Sequence, residues 1–392
     1  VQRMDYDQAV AQGRILLMGK ETDEAFLGEV LNMVNDRACV AQVADRFSLV
    51  YTPFHGTGYQ LIPEALKRLG LKHILCVPEQ MVIDGNFPTV VSPNPENPEG
   101  FALAVELAKK NRCDLIVGSD PDADRVGVMV RNAQGEYEVL SGNQTGVLLL
   151  DYLIGAKKRA GTLGEDAYAL TTIVSTQMVD KICAVNHIHT ARTFTGFKFL
   201  AEKKDALEGA SQGKVFFAFE ESFGYMLGDY VRDKDAVTAI VLIAEMAAWY
   251  ASQDKTLYDA LQECYAKYGH YGESTINLVM PGLDGMRDMA AIMEQLHKAP
   301  LTEVAGTAVT AQKDYLSGTV TDPATGVVTP MELKDSNVVA YDLADGTTFI
   351  IRPSGTEPKI KVYVLTHGAS QAECDEKLAK YTAFADVIKT MA

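Results

Sequence analysis

Apolar positions along the chain alternate between two periods. Residues 47–51, Phe-Ser-Leu-Val-Tyr, have strand character, and 52–58, Thr-Pro-Phe-His-Gly-Thr-Gly, form a loop. Ile62, Ala65, Leu66 and Leu69 then recur at helical spacing, and Gly70 ends that helix. A short strand at 74–77 precedes a loop carrying Pro93, Pro95 and Pro98, which cannot continue it. A helix over about 100–110 leads to a strand at 115–118. Strands and helices in this order predict helices packed on a largely parallel sheet.

The pattern restarts near residue 140. Ser141 and Gln144 have the spacing of a capping box before an apolar helix reaching about 153. A strand at 169–174, a helix at 175–183, a β-rich run at 214–219 and a long helix at 234–252 follow. In both regions an acidic loop directly follows a buried strand, where ligand sites of such sheets lie. The last third predicts a helix at 257–268, a strand at 274–279 and a helix at 285–297, in which Met286, Met289 and Met293 read as core. Loops rich in Gly, Asp and Thr fill 317–336. Two strands at 347–351 and 359–365 flank a turn, and a closing helix starts near Ser370. The fold class expected is two consecutive α/β/α domains with mixed, largely parallel sheets, 1–138 and 139–255, followed by a smaller α+β domain, 256–392.

Composition narrows the function. With 392 residues, 47% hydrophobic and 22% charged, the chain can bury real cores. Its net charge of −16 makes nucleic acid a poor partner, while leaving room for small phosphorylated ligands. The six cysteines are dispersed without a C-x-x-C pair, which suits a reducing cytoplasm. Residues 1–20 lack the pattern of a secretory leader, and the apolar run 236–250 contains Glu245 and is too short to span a bilayer. The first residue is Val1 rather than Met, so a piece of a longer protein is expected.

Three loops can carry chemistry. In Ser119-Asp120-Pro121-Asp122-Ala123-Asp124-Arg125, three carboxylates at alternate positions can converge on a hard divalent cation such as Mg²⁺, and Arg125 offers donors suited to phosphate. A solvated acidic turn and a phosphatase loop with an Asp nucleophile are the rival readings. In Arg352-Pro353-Ser354-Gly355-Thr356-Glu357-Pro358-Lys359, a guanidinium, two hydroxyls and backbone N–H groups make a phosphate cradle; a plain hairpin turn is the alternative. In Phe219-Glu220-Glu221-Ser222-Phe223-Gly224, carboxylates and a hydroxyl can bond sugar hydroxyls, against a simple polar strand end. His55 is a candidate acid or base or a structural loop residue. Lys198 sits near the start of a helix, and 232–235 is a mixed charge run ordinarily found on a solvated face.

As a set, these segments resemble the α-D-phosphohexomutase superfamily, most closely its phosphoglucomutase/phosphomannomutase type. The segments are 51–58, Tyr-Thr-Pro-Phe-His-Gly-Thr-Gly; 92–96 with the Asp120 to Arg125 loop; Glu220 to Gly224 with Arg232-Asp233-Lys234-Asp235; and Arg352 to Pro358. The resemblance implies an isomerase that interconverts hexose 1-phosphate and hexose 6-phosphate, most closely glucose 1-phosphate and glucose 6-phosphate. It works through a phosphoserine and a bisphosphate intermediate such as glucose 1,6-bisphosphate. It implies Mg²⁺ on Asp120, Asp122 and Asp124, with Arg125 near the transferring phosphate. Glu220 and Ser222 would bond sugar hydroxyls, and Arg352, Ser354, Gly355 and Thr356 would hold the other phosphate. Lys198 and Lys234 match family positions close to the active site. The partners implied are phosphosugars, with no nucleic acid and no membrane. Phosphomannomutase and phosphopentomutase activities stay open, as does a non-catalytic phosphosugar-binding protein. No Ser-His dipeptide occurs in the sequence, so the family's phosphoserine loop has no counterpart here. The expectation is family domains two to four without the first, inactive as a mutase alone.

Overall fold

The computed structural model describes residues 3–280, 284–355 and 357–391. Three helices, α1 (Tyr6–Ala11), α2 (Lys20–Asn32) and α3 (Arg37–Val43), lead into β1 (Ser48–Thr52). Then come α4 (Leu61–Leu69), β2 (His73–Cys76), α5 (Ala102–Asn111), β3 (Leu115–Ser119), β4 (Val126–Arg131) and β5 (Tyr137–Leu140). The next stretch runs α6 (Gly142–Ala160), β6 (Ala167–Thr172), α7 (Met178–Asn186), β7 (His189–Thr193), α8 (Phe197–Gly209), β8 (Lys214–Glu220), β9 (Gly224–Leu227) and α9 (Ala236–Ala251). The C-terminal part comprises α10 (Leu257–Tyr268), β10 (His270–Val279), α11 (Gly285–Lys298), β11 (Glu303–Val304), β12 (Thr307–Asp314), β13 (Thr319–Thr321), β14 (Val328–Pro330), β15 (Val339–Leu343), β16 (Thr348–Pro353), β17 (Lys359–Gly368) and α12 (Gln371–Ile388).

By packing, the chain divides into two units: Val1–Val139 with Met226–Thr256, and Leu140–Tyr225 with Leu257–Ala392. The first unit is built on a mixed sheet of order β2-β1-β3-β4-β5. β1 runs parallel to β2 and β3, and β4 turns back antiparallel to β3. Helix α4 ends where Gly70 adopts φ 117°, a conformation open to glycine. Helix α9 is apolar almost all round and accordingly buried, packing on α2, α3, α4, β3 and β4. Asp235 caps it through the N–H groups of Val237 and Thr238.

Inside α9 lies the fully buried Glu245. Its Oε1 accepts the backbone N–H groups of Asn35 (2.8 Å) and Asp36 (2.5 Å), and Asp36 in turn caps α3. The acid that interrupts the apolar run thus fixes the α2–α3 connection.

The second unit holds two sheets. One has the order β7-β6-β8-β9, with β6 parallel to β7 and β8. The capping box of Ser141 and Gln144 forms at the start of α6. The other sheet is antiparallel, of order β10-β17-β16-β15-β12-β13-β14, with β11 beside β12. Ile360, Val362 and Val364 of β17 pack with Ile292 and Met293 of α11 and Tyr381 of α12. Met289 joins this core, while Met286, in the first turn of α11, is exposed. On the opposite face, Tyr363 and Leu365 pack with Ile350, Tyr315, Ile173 and Val174, joining the two sheets' layers. Among the described residues, no helix is long and apolar enough to cross a membrane.

Replacing Glu245 by Ala removes the acceptor for the partly buried N–H groups of Asn35 and Asp36. A loss of about 1–3 kcal/mol is expected, read as a lower urea midpoint, with Glu245→Gln retaining most of the stability.

Candidate functional site

The acidic loop starts where the fully buried β3 ends. Ser119 Oγ is 2.9 Å from the Tyr51 hydroxyl, which fixes the strand end. Asp120 is 1% exposed and folds into its own loop. Its Oδ1 accepts the N–H groups of Asp124 (3.1 Å) and Arg125 (2.9 Å), and its Oδ2 accepts from Arg125 Nε at 2.7 Å. Ala123 turns the chain with φ 60°, a left-handed position. The turn brings one oxygen each of Asp120, Asp122 and Asp124 within 4.8 Å of one another. Three hard oxygen donors this close fit a metal ion of the Mg²⁺ or Ca²⁺ type.

Two neighbours hold this loop from outside. Thr57 donates both its N–H (2.8 Å) and its hydroxyl (3.1 Å) to the carbonyl of Pro121. A Cβ on Gly56 would lie 2.3 Å from Pro121 Cα, so only glycine permits the approach. From the other side, Ala236 N–H, at the start of α9, donates to Ala123 O at 3.0 Å. Lys234 Nζ pairs with Asp124 Oδ2, and Arg125 Nη1 lies 3.8 Å from Glu96. Burial alone would lower the Lys234 ammonium, but the Asp124 carboxylate outweighs it and holds the group above its ordinary value. Burial pushes the Asp120 carboxyl up to about 6 against the pull of the Arg125 bonds. His55 is buried, with Nδ1 on Val82 O (2.9 Å) and Nε2 on Thr89 Oγ1 (2.8 Å), so its ring ties loops together.

The second unit carries the other two loops. Glu220, at the end of β8, is buried, and its Oε1 accepts the N–H of Gly196 before α8. Glu221 Oε2 accepts the hydroxyls of Thr172 (3.1 Å) and Ser175 (3.2 Å). Burial pushes the Glu221 carboxyl up, with Lys361 pulling it back. The turn closes at Phe223, φ 69°, leaving Ser222 half-buried. A Cβ on Gly142 would meet the Glu221 carbonyl at 2.1 Å, so the start of α6 sits directly against this turn. Lys198 is exposed, its Nζ 4.8 Å over the Phe199 ring, with no ion pair among the described residues.

Arg352 pairs in register with Lys361 across β16 and β17. It hydrogen-bonds Tyr363, whose phenol burial pushes up to about 12. In the connecting turn, Ser354 N–H donates to Lys359 O at 2.8 Å, and Glu357 N–H donates to Ser354 Oγ at 3.3 Å. Gly355 has open space around it. Thr356 lies outside the described residues. The charges of Glu220 and Glu221 act on Tyr363, and that of Lys361 acts on Glu221. Thr57, Lys361 and Tyr363 are partners that motif spacing did not single out. Lys361 and Tyr363, at alternate positions of β17, were visible only as strand residues.

Residues 25–135, 141–268 and 276–380 match three successive parts of one family: phosphoglucomutase/phosphomannomutase alpha/beta/alpha domain II, alpha/beta/alpha domain III and C-terminal domain. The chain belongs to the phosphoglucomutase/phosphomannomutase family, whose named members are isomerases. A phosphoglucomutase of Staphylococcus aureus (strain MRSA252) is 36% identical over 316 residues, 81% of this chain and 56% of that protein. The chain thus spans about half the length of the curated relatives it matches. Parafusin of Paramecium, a phosphoglucomutase solved in an open form, superposes with a TM-score of 0.66 at 18% identity, covering 94% of this chain and 62% of that one. A putative phosphomannomutase of Thermus thermophilus gives 0.63 at 19% identity, covering 93% and 66%. Aspergillus fumigatus N-acetylphosphoglucosamine mutase, solved with GlcNAc-6P and magnesium, gives 0.51 at 14%, covering 92% and 65%. These structures share the fold.

A proton competes with a cation for Asp120. Divalent-ion affinity, measured calorimetrically, is expected to fall as pH drops through about 6; constant affinity from pH 5 to 7.5 would contradict this. The stability contribution has the opposite sign. The carboxyl is raised from 3.8, so its contribution is full below that value and is lost as pH rises through about 6. Gly56→Ala is expected to weaken ion binding at least tenfold while the circular dichroism spectrum stays native.

Proposed function

We propose that this chain supplies the metal-, sugar- and phosphate-binding parts of a phosphohexomutase that interconverts hexose 1-phosphate and hexose 6-phosphate, with glucose as the sugar. The observation that carries this reading is the convergence of Asp120, Asp122 and Asp124 on one point, in a chain that matches domains II to IV of the family. The magnesium seen with the distant Aspergillus neighbour supports Mg²⁺ as the ion. Held by the three aspartates, Mg²⁺ would supply a Lewis acid for the transferring phosphoryl group.

The chain's own residues divide the remaining work. Arg125 and Lys234 place two cations beside the aspartates, where negative charge builds as a phosphoryl group moves. Glu220 and Ser222 read sugar hydroxyls from the turn after β8. Arg352, Ser354, Gly355 and Thr356 grip the phosphate that is not being transferred, Arg352 as a planar donor resting on Tyr363. Lys198 lies on the same unit as these turns, at the start of α8, free to reach an anionic substrate. The domain limits we propose are 1–138, 139–255 and 256–392. The six cysteines are all free thiols, which fits a reducing compartment such as the cytoplasm.

A family phosphoserine would donate one phosphoryl group and receive the other from the bisphosphate intermediate. These 392 residues contain no Ser-His loop of that kind. By themselves they are expected to bind glucose 1-phosphate without converting it to glucose 6-phosphate. A coupled assay checks this: sustained turnover by the chain alone would defeat the reading. Arg352→Ala is expected to weaken glucose 1-phosphate binding at least tenfold, in line with the loss of a charge-assisted hydrogen bond of about 1.5–3 kcal/mol.

A further inference from the structure

A cavity of about 530 Å³ opens between α7 and the C-terminal sheet. That volume is in the range of small-molecule pockets. Its walls come from two layers of one unit: Gln177, Asp180, Lys181 and Arg192 on one side, and residues of β10, β12, β16 and β17 on the other. It is distinct from the Arg352 turn. Thr348 and Leu365 line the cavity and pair in register four residues from the Arg352–Lys361 pair, about 13 Å along the strands. The end of the cavity nearest that turn is apolar, lined by Ile173 and Ile350, and Ile350 pairs in register with Tyr363, two residues from the Arg352–Lys361 pair.

The wall is cationic in a chain of net charge −16. Lys181, Arg192 and Lys313 line it, against one lining carboxylate, Asp180. Arg192 spends its Nη1 on the carbonyls of Thr172 and Ser175 and its Nη2 on Thr176 O and Asp180 Oδ2, so it contributes field more than donors. Lys313 pairs at 2.6 Å with Asp342, which also accepts the Thr348 hydroxyl at 2.9 Å. Gln177 Nε2 donates to that same hydroxyl at 2.9 Å. Two carboxylates therefore balance Arg192 and Lys313. Lys181 is exposed, has no ionic partner among the described residues, and leaves the wall with an uncompensated positive charge.

Further donors converge there. Tyr271, Tyr315 and His367 line the cavity, with the Tyr271 and His367 rings 5.9 Å apart. Burial pushes both phenols up, Tyr315 to about 12, so each keeps its proton and donates at neutral pH. A lining with a lysine ammonium, two tyrosines, a histidine and a glutamine matches an acceptor-only ligand with several oxygens.

We propose that this cavity binds a small, multiply charged oxyanion, a phosphorylated or polycarboxylated metabolite, at a site separate from the phosphosugar turn. Because its walls belong to both layers, an occupant bridges α7 to the C-terminal sheet and adds to their packing. The test uses the full chain carrying Arg352→Ala, in buffer freed of divalent ions, titrated calorimetrically with pyrophosphate and, separately, citrate. Binding is expected to persist in that background and to weaken at least tenfold when Lys181→Glu is added, with the melting temperature of the ligand-free protein unchanged. Pyrophosphate alone binding identifies a phosphorylated ligand class; citrate alone binding identifies a polycarboxylate. No binding of either probe at millimolar concentration, or affinity indifferent to Lys181→Glu, overturns the proposal. Neither result bears on the family-based reading, which stands on the Arg352 turn and the aspartates.

Discussion

The carboxylate of Asp120, turned back onto the N–H groups of its own loop, is the constraint from which the rest of the aspartate loop follows. Those two bonds curl the backbone so that Asp122 and Asp124 point where Asp120 points. Like charges held within 4.8 Å repel by about 3–4 kcal/mol per pair at an effective dielectric constant of about 20. Such crowding persists only with positive charge close by, and Arg125 and Lys234 supply it. The loop is also pinned at two carbonyls that no aspartate owns, Pro121 by Thr57 and Ala123 by Ala236. The Thr-Pro-Phe-His-Gly-Thr-Gly turn thereby becomes a support of the candidate ion site without offering a ligand to it.

In the second unit the binding turns are held by buried contacts rather than by repulsion. Glu221 hangs from two hydroxyls at the end of β6, and Arg352 leans on Tyr363. Tyr363 is also a member of the apolar cluster between the sheet layers. The residues that would touch a sugar phosphate are therefore one bond removed from the packing that holds the layers together. Specificity in such a site depends on how well these supports keep the first contacts in place.

Long periodic elements were legible in the sequence because burial dictates their pattern. Helix α10 was expected over the residues it occupies, and the capping box at Ser141 and the start of α12 after Ser370 are set by local hydrogen bonding that sequence displays directly. Strands β13 and β14 lie in a stretch that reads as loop, since each has three residues and β14 is exposed throughout. β7 escaped because His189, Thr190, Ala191, Arg192 and Thr193 carry no apolar alternation; parallel pairing to β6 makes it a strand. The aspartate loop was readable from spacing alone. The roles of Thr57, Lys361 and Tyr363 were not, because they arise from contacts between segments far apart in the chain. Glu245 shows the same limit: in the sequence it is only a charge that spoils an apolar run, and its partners are some 200 residues away.

Strand β17 has two audiences. Its even-numbered residues, Ile360, Val362 and Val364, look into the core under α11 and α12, and its odd-numbered ones look the other way. Lys361 answers Glu221, Tyr363 props Arg352, Leu365 seals the layer and His367 reaches the far cavity. Adding or deleting a single residue within this strand would exchange the two sets, turning a lysine and a histidine inward and a row of aliphatic side chains outward. The segment is thus more sensitive to a change of length than to a change of residue at a single position.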